Sequence, residues 1–249
     1  MSLHYEIQGA GVPLLLLHSG GMTGAEWQPQ QAVLSAQFQV ITPDLPGHGR
    51  SPLMADALSI SGAAQAVLAL LDSLAIDRTH IVGSSLGGAI ALWLALKHPE
   101  RINKLVLYRV NYRKTAAGHA GTRELADPAY WRRVGMAQML SKAHQPQGGS
   151  EAWQQVIARV AQALAPETTD HHHTLDDLAA ITHSTLIVAG DRDPLVPLDD
   201  QQAMLRAIPH AGLWVIPYAT HVTAVNTWRS EAFGQELLRF FLGRGVVKS

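Results

Sequence analysis

One short stretch, Gly83-Ser84-Ser85-Leu86-Gly87, restricts the fold of this chain more than any other part of it. The β-branched, apolar residues 79–82 precede it and the Ala- and Leu-rich residues 88–96 follow it, so the sequence predicts a strand that turns directly into a helix. Such a sharp turn admits only residues without side chains two positions before and two positions after its central serine. Both positions are glycine, and the pattern therefore predicts a nucleophile elbow that lifts the Ser85 hydroxyl above the sheet.

A nucleophilic serine requires a base, and the base requires an acid that fixes its tautomer and stabilises its cation. Both residue types follow the elbow, each after a buried-strand pattern: residues 185–189 lead into Asp191 and Asp193, and residues 212–216 lead towards His221. The order serine, aspartate, histidine is typical of an elbow on a middle strand with its partners on later strands. The residues alone leave Asp191 as a rival of Asp193 for the acid.

Three more segments complete a resemblance to the α/β-hydrolase family that covers nearly the whole chain and is weakest between residues 112 and 180. Residues 14–21 (LLLLHSGG) resemble the family's strand and oxyanion loop, residues 40–51 (VITPDLPGHGRS) resemble its Asp-x-x-Gly-His-Gly-x-Ser segment, and residues 193–197 (DPLVP) match its acid-loop pattern. The likeness is to small single-domain serine esterases and enol-lactone hydrolases. It implies Ser85, Asp193 and His221 as catalytic residues and the backbone N–H groups of Gly20 and Leu86 as the oxyanion hole.

Three positions depart from the usual pattern of that family. Ser19 replaces the common glycine after the oxyanion-loop histidine, and Ser84 replaces the common histidine before the nucleophile. Ala219-Thr220 replace two glycines before the catalytic histidine. None of these changes removes a member of the triad, but they bear on the geometry of the oxyanion loop and on the substrate class.

The alternation of buried-strand and helical patterns predicts an α/β fold, with a mostly parallel twisted sheet and helices on both faces. Strands are predicted over residues 3–8 (antiparallel), 14–18, 39–42, 80–82, 104–108, 185–189 and 213–216, and helices over residues 27–36, 61–74, 86–98, 199–208 and 228–242. The resemblance adds a small helical cap inserted between the sixth and seventh strands. The predicted organisation is one core domain, residues 1–111 and 181–249, and a cap insertion over residues 112–180.

The segment assigned to the cap has helical patterns of its own. About 75 residues separate two predicted strands here, too many for a simple crossover helix. In residues 151–164 the apolar side chains follow the i, i+3, i+4, i+7 spacing of one helix face. Residues 128–143 are predicted as another helix, and Thr174 with Asp177 can cap a third near residues 175–180. The alternative to a cap is a helical patch on the edge of the sheet.

The composition limits the partners of the chain. Its 249 residues, 47% of them hydrophobic, are enough for one large α/β domain with a full core. A formal net charge of −1 gives no electrostatic case for nucleic acid or an anionic membrane. The amino terminus lacks a signal-peptide pattern, and the absence of cysteine excludes disulfides and zinc–thiolate sites. We therefore expect a cytoplasmic protein without cofactor or metal whose partner is a small-molecule substrate; the oligomeric state stays open.

Candidate substrate-binding residues come from the carboxyl end of a strand and from the insertion. They are Gly21, Arg109, Tyr112, Trp131, Met136, Met139 and Trp153. Arg109, Tyr112 and Arg113 follow the strand ending near residue 108, where pocket walls form, and either bind a substrate carboxylate or form salt bridges to the cap.

Several histidines and one serine receive simpler interpretations. His171-His172-His173 is interpreted as a polar loop rather than a metal site, because consecutive side chains do not converge. His18 and His48 are expected to form hydrogen bonds within loops, and Ser84 to pack beneath the elbow.

The function that these patterns favour is a serine hydrolase acting on a small carboxylic ester or lactone. The same triad can also cleave carbon–carbon bonds in vinylogous diketo acids, and a non-catalytic ligand receptor on the same fold is a further alternative. A serine at position 85 argues against haloalkane dehalogenase and epoxide hydrolase chemistry, because those reactions require a carboxylate nucleophile.

Overall fold

The computed structural model describes residues 2–53, 57–222 and 229–243. These residues contain a sheet of seven strands: β1 (Tyr5–Gln8), β2 (Val12–Leu17), β3 (Phe38–Pro43), β4 (Thr79–Ser84), β5 (Ile102–Tyr108), β6 (Thr185–Gly190) and β7 (Ala211–Ile216). The spatial order is β1-β3-β2-β4-β5-β6-β7. Only β1 is antiparallel to its neighbour, and every other adjacent pair is parallel, as predicted.

The α-helices of the described residues fall into two groups. Those of the core are α1 (Gln28–Leu34), α2 (Ile60–Ser73), α3 (Leu86–Lys97), α9 (Leu198–Ala207) and α10 (Ser230–Leu242), and those between β5 and β6 are α4 (Ala116–Leu125), α5 (Pro128–Arg133), α6 (Ala137–His144), α7 (Ala152–Ala163) and α8 (Leu175–Ala179). None of the helices in the described ranges is both long enough and apolar enough to cross a membrane. The start of the helix predicted over residues 228–242 lies at Trp228, outside the described residues.

The two faces of the sheet bury alternate side chains of each strand. Leu15 and Leu17 pack in one buried cluster with residues of α2 and α3, whereas Leu14 and Leu16 pack in another with residues of α1 and α10. This alternation follows from the two-residue period of a strand. Because both faces carry helices, the strands are apolar throughout rather than amphipathic. The α/β prediction is thereby confirmed.

The predicted position of the insertion among the strands was wrong. The helices α4–α8 follow the fifth strand and precede the sixth, not the sixth and seventh. The elbow strand β4 is the fourth in chain order, and it pairs directly with β5. The chain leaves the sheet after β5, forms the helices α4–α8 and returns to the sheet at β6.

Two details of the insertion also differ from the predictions. The helix predicted over residues 128–143 is two helices, α5 and α6, because Gly135 between them has a left-handed φ of +75°. Helix α4 was not predicted, since its sequence is rich in small residues and has no clear apolar period. Its local signal is Thr115, whose side chain accepts a hydrogen bond from Gly118 N at the helix start. The capping box of Thr174 and Asp177 on α8 is confirmed.

Candidate active site

Ser85 lies between β4 and α3 in a strained backbone conformation, with φ 51° and ψ −109°. Its amide donates a hydrogen bond to the Tyr108 carbonyl, at 2.9 Å. The neighbouring glycines are required by close backbone contacts: a Cβ on Gly83 would lie 2.3 Å from Gly87 O, and one on Gly87 would lie 2.3 Å from Leu17 O. The structure therefore forms the elbow that the glycine spacing predicts.

Ser85, His221 and Asp193 form a continuous hydrogen-bonded chain. Ser85 Oγ lies 3.0 Å from His221 Nε2, and His221 Nδ1 lies 2.8 Å from Asp193 Oδ2. The other carboxylate oxygen of Asp193 accepts the backbone N–H groups of Leu195 and Val196, at 2.9 and 3.1 Å. With Nδ1–H donated to Asp193, the Nε2 lone pair of His221 faces the serine hydroxyl, which is the arrangement a general base requires.

The two rival aspartates occupy different environments. Asp193 follows β6 and its side chain is only 1% exposed, whereas the Asp191 side chain is 29% exposed and lies 4.0 Å from Arg192. Asp191 contributes its amide to the loop by donating to the Ile216 carbonyl. The structure thus brings Asp193, and not Asp191, to His221.

Gly20 and Leu86 are the two residues whose amides were predicted to form the oxyanion hole. Gly20 lines the same pocket as Ser85, and a Cβ at this position would lie 2.4 Å from Val160 Cγ1, so only glycine fits without displacing the insertion. Leu86 is the first residue of α3, where amide groups have no acceptor within the helix and the helix dipole is positive. Amide groups placed in this way are of the type that stabilise an oxyanion.

Arg109 forms a buried ion pair that the sequence analysis missed. Its Nη2 atom lies 2.8 Å from Glu26 Oε1, and the side chains are 5% and 3% exposed. The guanidinium also donates to Ser19 Oγ at 2.8 Å, to Ser84 Oγ at 2.9 Å, and to the His221 carbonyl. Its charge is therefore already balanced by Glu26, although the group lines the pocket. Two of the unusual residues, Ser19 and Ser84, are acceptors for this one cation.

Three buried histidines support the loops around Gly20. His18 Nε2 accepts from Leu45 N at 2.8 Å, while its Nδ1 lies 2.8 Å from Ser19 O. His48 Nε2 accepts from the amide of Gly21 at 3.2 Å. The predicted loop hydrogen bonds of His18 and His48 are thus confirmed. Burial lowers the pKa of both imidazoles, that of His48 well below its ordinary value, so both rings are held in the neutral form.

His144, at the end of α6, joins the insertion to the same loops. Its Nδ1 accepts from Gly49 N at 3.0 Å, and its Nε2 lies 2.8 Å from the Gly21 carbonyl. Burial lowers the pKa of this imidazole as well. Gly21, with a φ of +78°, is therefore held between His48 and His144 and does not line the pocket beside Ser85.

The pocket at Ser85 measures about 80 Å³. Apolar side chains of the insertion form much of its wall, including Trp131 and Met136, which the sequence analysis placed there, and Leu125, Ile157, Val160 and Leu164, which it did not. Apolar side chains from the insertion and from the core loops, such as Met22 and Leu195, therefore line much of the pocket at Ser85.

The structure does not bring three other predicted residues to this pocket. Tyr112 packs in the buried cluster that contains Leu15 and Leu17, and Trp153 packs in a small buried cluster within the insertion. Neither ring lines the pocket. Met139 is 43% exposed and lines an outer groove, because it lies about 100° around α6 from the buried Leu140.

The three consecutive histidines divide between the interior and solvent. His171 and His173 are buried on one side of an extended segment, and His172 is exposed on the other. His171 Nε2 lies 2.7 Å from the Asn111 carbonyl. Over the described ranges, no group of three or more His, Cys, Asp or Glu side chains is placed to hold a metal ion.

The comparison with known sequences agrees with the fold. The sequence model of the alpha/beta hydrolase fold family matches residues 12–150, more than half of the chain. The chain belongs to the α/β-hydrolase family. This α/β hydrolase is 34% identical, over 96% of both chains, to a protein of Variovorax paradoxus (strain S110) named carbamate hydrolase RutD.

Two solved structures share the fold of this α/β hydrolase. The meta-cleavage product hydrolase CumD from Pseudomonas fluorescens IP01 superposes with a TM-score of 0.78 and 22% identity, covering 97% of this chain and 94% of that one. The enol-lactonase from Burkholderia xenovorans LB400 superposes with a TM-score of 0.76 and 24% identity, covering 96% of each chain.

Proposed function

We propose that this α/β hydrolase cleaves a small carboxylic ester or lactone through an acyl-enzyme on Ser85. The observation that carries the proposal is the uninterrupted contact from Asp193 through His221 to Ser85, with distances of 2.8 and 3.0 Å, at the wall of an apolar pocket. A buried carboxylate, an imidazole with one defined tautomer and a strained serine are the parts that acyl transfer requires.

In the proposed reaction, Ser85 Oγ attacks the carbonyl carbon while His221 Nε2 takes the hydroxyl proton. The amides of Leu86 and Gly20 donate to the oxyanion of the tetrahedral intermediate, and Asp193 stabilises the imidazolium. Collapse breaks the bond to the leaving alkoxide, which receives the proton from His221. A water molecule then repeats the sequence on the acyl-enzyme and releases the acid.

The size of the pocket supports a small acyl group. An apolar cavity of ~150 Å³ is large enough to hold benzene. The space beside Ser85 is about 80 Å³, which suits a chain of a few carbons. Val160 and Ile157 of α7 and Trp131 of α5 limit how far an acyl chain extends.

A carbamate ester is a second candidate, because the relative from Variovorax paradoxus, 34% identical, carries the name of a carbamate hydrolase. The carbonyl of a carbamate accepts the same attack by Ser85, but it is less electrophilic than that of an ester. Parallel assays of ethyl acetate and ethyl carbamate separate the two candidates.

Covalent labelling tests the proposal and excludes a non-catalytic receptor. A fluorophosphonate should modify Ser85, as located by peptide mass mapping, and should leave Ser84 unmodified. Ser85→Ala should abolish labelling and lower kcat by on the order of 10⁴-fold or more. Ser150→Ala, at an exposed position, is the matched control and should change neither quantity. Labelling that persists in Ser85→Ala contradicts the assignment.

A further inference from the structure

A second, smaller pocket opens on another side of Ser85 and His221. It measures about 30 Å³, whereas a single buried water needs roughly 10–15 Å³. The two pockets share Arg109, Thr122, Leu164 and Leu195 besides the serine and the histidine. A group bound in the second pocket therefore lies next to one bound in the first, and the space suits a single small polar group.

The walls of the second pocket carry an excess of positive charge. Arg109, Arg113 and Lys114 line it, and no carboxylate side chain does so among the described residues. Arg109 is balanced by Glu26, as described above. Arg113 Nη2 lies 3.0 Å from Asp200 Oδ1, so its charge is balanced as well.

Lys114 is the cation without a counterion. The remaining oxygen of Asp200 accepts from Asn111 Nδ2 at 2.5 Å, so both oxygens of that carboxylate have partners other than Lys114. Across the residues that the structure describes, the Lys114 ammonium has neither an ion-pair partner nor a hydrogen-bond acceptor. Keeping a cation partly out of water without a partner costs free energy, which a bound anion would offset.

Two further features strengthen the positive potential. Thr115 is the N-cap of the ten-residue helix α4, and both Thr115 and Gly118 line the pocket, so the positive end of this helix faces it. Burial lowers the pKa of Lys114 to about 8, so the ammonium is still largely charged at neutral pH. Burial also lowers the pKa of the nearby His171 well below its ordinary value, so that imidazole adds no competing charge.

From this arrangement we infer that the second pocket binds a carboxylate of the substrate, with Lys114 as the binding cation. The inference rests on the proposed function and narrows its substrate class. The preferred ester or lactone carries a carboxylate a few atoms from the scissile carbonyl, with the apolar part of the molecule in the larger pocket.

Matched pairs of esters test the inference. Monomethyl succinate and methyl levulinate differ by a carboxylate in place of a methyl ketone on the acyl side, and acetoxyacetate and acetoxyacetone differ in the same way on the alcohol side. In at least one pair, kcat/KM should be higher for the anion. A hydrogen bond to a charged group contributes about 1.5–3 kcal/mol, so Lys114→Gln should lower the anion-to-neutral ratio by roughly 10- to 100-fold.

Three comparisons separate binding by Lys114 from a general effect on folding. Lys114→Arg should retain the preference, and Lys142→Gln, an exposed position on α6, should leave the ratio unchanged. In the wild type the ratio should fall between pH 7 and 9.5 as the ammonium loses its proton, and Lys114→Arg should abolish that fall. Equal melting temperatures establish that the variants are folded.

Direct binding keeps the test independent of turnover. Calorimetric titration of the Ser85→Ala protein with succinate should show binding that Lys114→Gln weakens by a similar factor. Absence of succinate binding, no preference in either ester pair, or a preference that survives Lys114→Gln overturns the inference. Absence of fluorophosphonate labelling and of all ester hydrolysis, with succinate binding intact, would instead contradict the proposed function.

Discussion

Arg109 Nη2 lies 2.8 Å from Glu26 Oε1, and this ion pair is almost completely enclosed beside Ser85. Glu26 lies in a short 3₁₀ helix (Gly24–Trp27) after β2, and Arg109 directly follows β5, so the pair joins two distant parts of the chain. Glu26 Oε2 also accepts the amide of Ser19 at 2.6 Å, while Arg109 reaches the His221 carbonyl. One buried pair therefore connects the loop that carries Ser19 and Gly20 to the backbone of His221.

Removing Arg109 alone should destabilise the protein strongly. Arg109→Met leaves the Glu26 carboxylate buried without its partner, which typically costs about 3–5 kcal/mol and, for a chain of this size, roughly 6–20 °C in Tm. The double variant Glu26→Gln, Arg109→Met should recover a large part of that loss. The matched control is Arg239→Met at the surface pair with Glu236, where little change in Tm is expected. Calorimetry in which the single variant melts no lower than the double variant contradicts the predicted role of the pair.

The acid of the triad can be tested by two isosteric substitutions. Asp193→Asn removes the acceptor of His221 Nδ1–H, so the wrong tautomer is favoured and kcat/KM should fall by roughly 10³–10⁴-fold. Asp191→Asn changes a partly exposed loop residue, and a loss within about tenfold is expected. Steady-state kinetics on a short ester measure both. Reversed magnitudes would transfer the acid role to Asp191.

Acyl length should show an optimum. Each methylene buried in the apolar pocket contributes about 0.8 kcal/mol, so kcat/KM should rise over the first few carbons. Beyond the space bounded by Trp131 and Ile157, further methylenes stay exposed or displace the insertion, and the rise should stop. Assays with p-nitrophenyl esters from two to sixteen carbons should give good turnover of the acetate or butyrate and poor turnover of the palmitate. A maximum at long chains, with activation at a lipid–water interface, would indicate a lipase.

The stability of the fold should depend on pH through the buried histidines. Burial lowers the pKa of His18, His48 and His144 in the folded protein, so below about pH 6.5 the unfolded chain binds more protons and the free energy of unfolding falls. This loss of stability should therefore develop progressively as the pH falls from about 7.5 to about 5. His144→Gln should reduce this dependence in Tm measurements, whereas His210→Gln, at an exposed position, should preserve it. An unchanged slope in His144→Gln argues against the contribution of that histidine.

The elements of the core were predictable because their signals are local. Short apolar runs predict β2, β4 and β6, and a helical apolar period predicts α7 in the insertion. Because a Cβ at Gly83 or Gly87 would clash with the backbone, the elbow requires two glycines, and their spacing can be recognised in the sequence. The bounds shift by one or two residues, since the ends of strands are decided by pairing with neighbours rather than by the residues themselves.

The sequence by itself determined the α/β class, the elbow at Ser85 and the order of the predicted triad, since each depends on short-range patterns. Only the tertiary structure decided which groups meet across the sheet. Arg109 pairs with Glu26, 83 positions away, so its charge is balanced within the protein, whereas Lys114 has no ion-pair partner in the part of the chain that the structure describes. Likewise Met136 reaches the pocket and Met139 does not. The sequence could not distinguish the two, because helical spacing shows which side chains share a face but not which cavity that face adjoins.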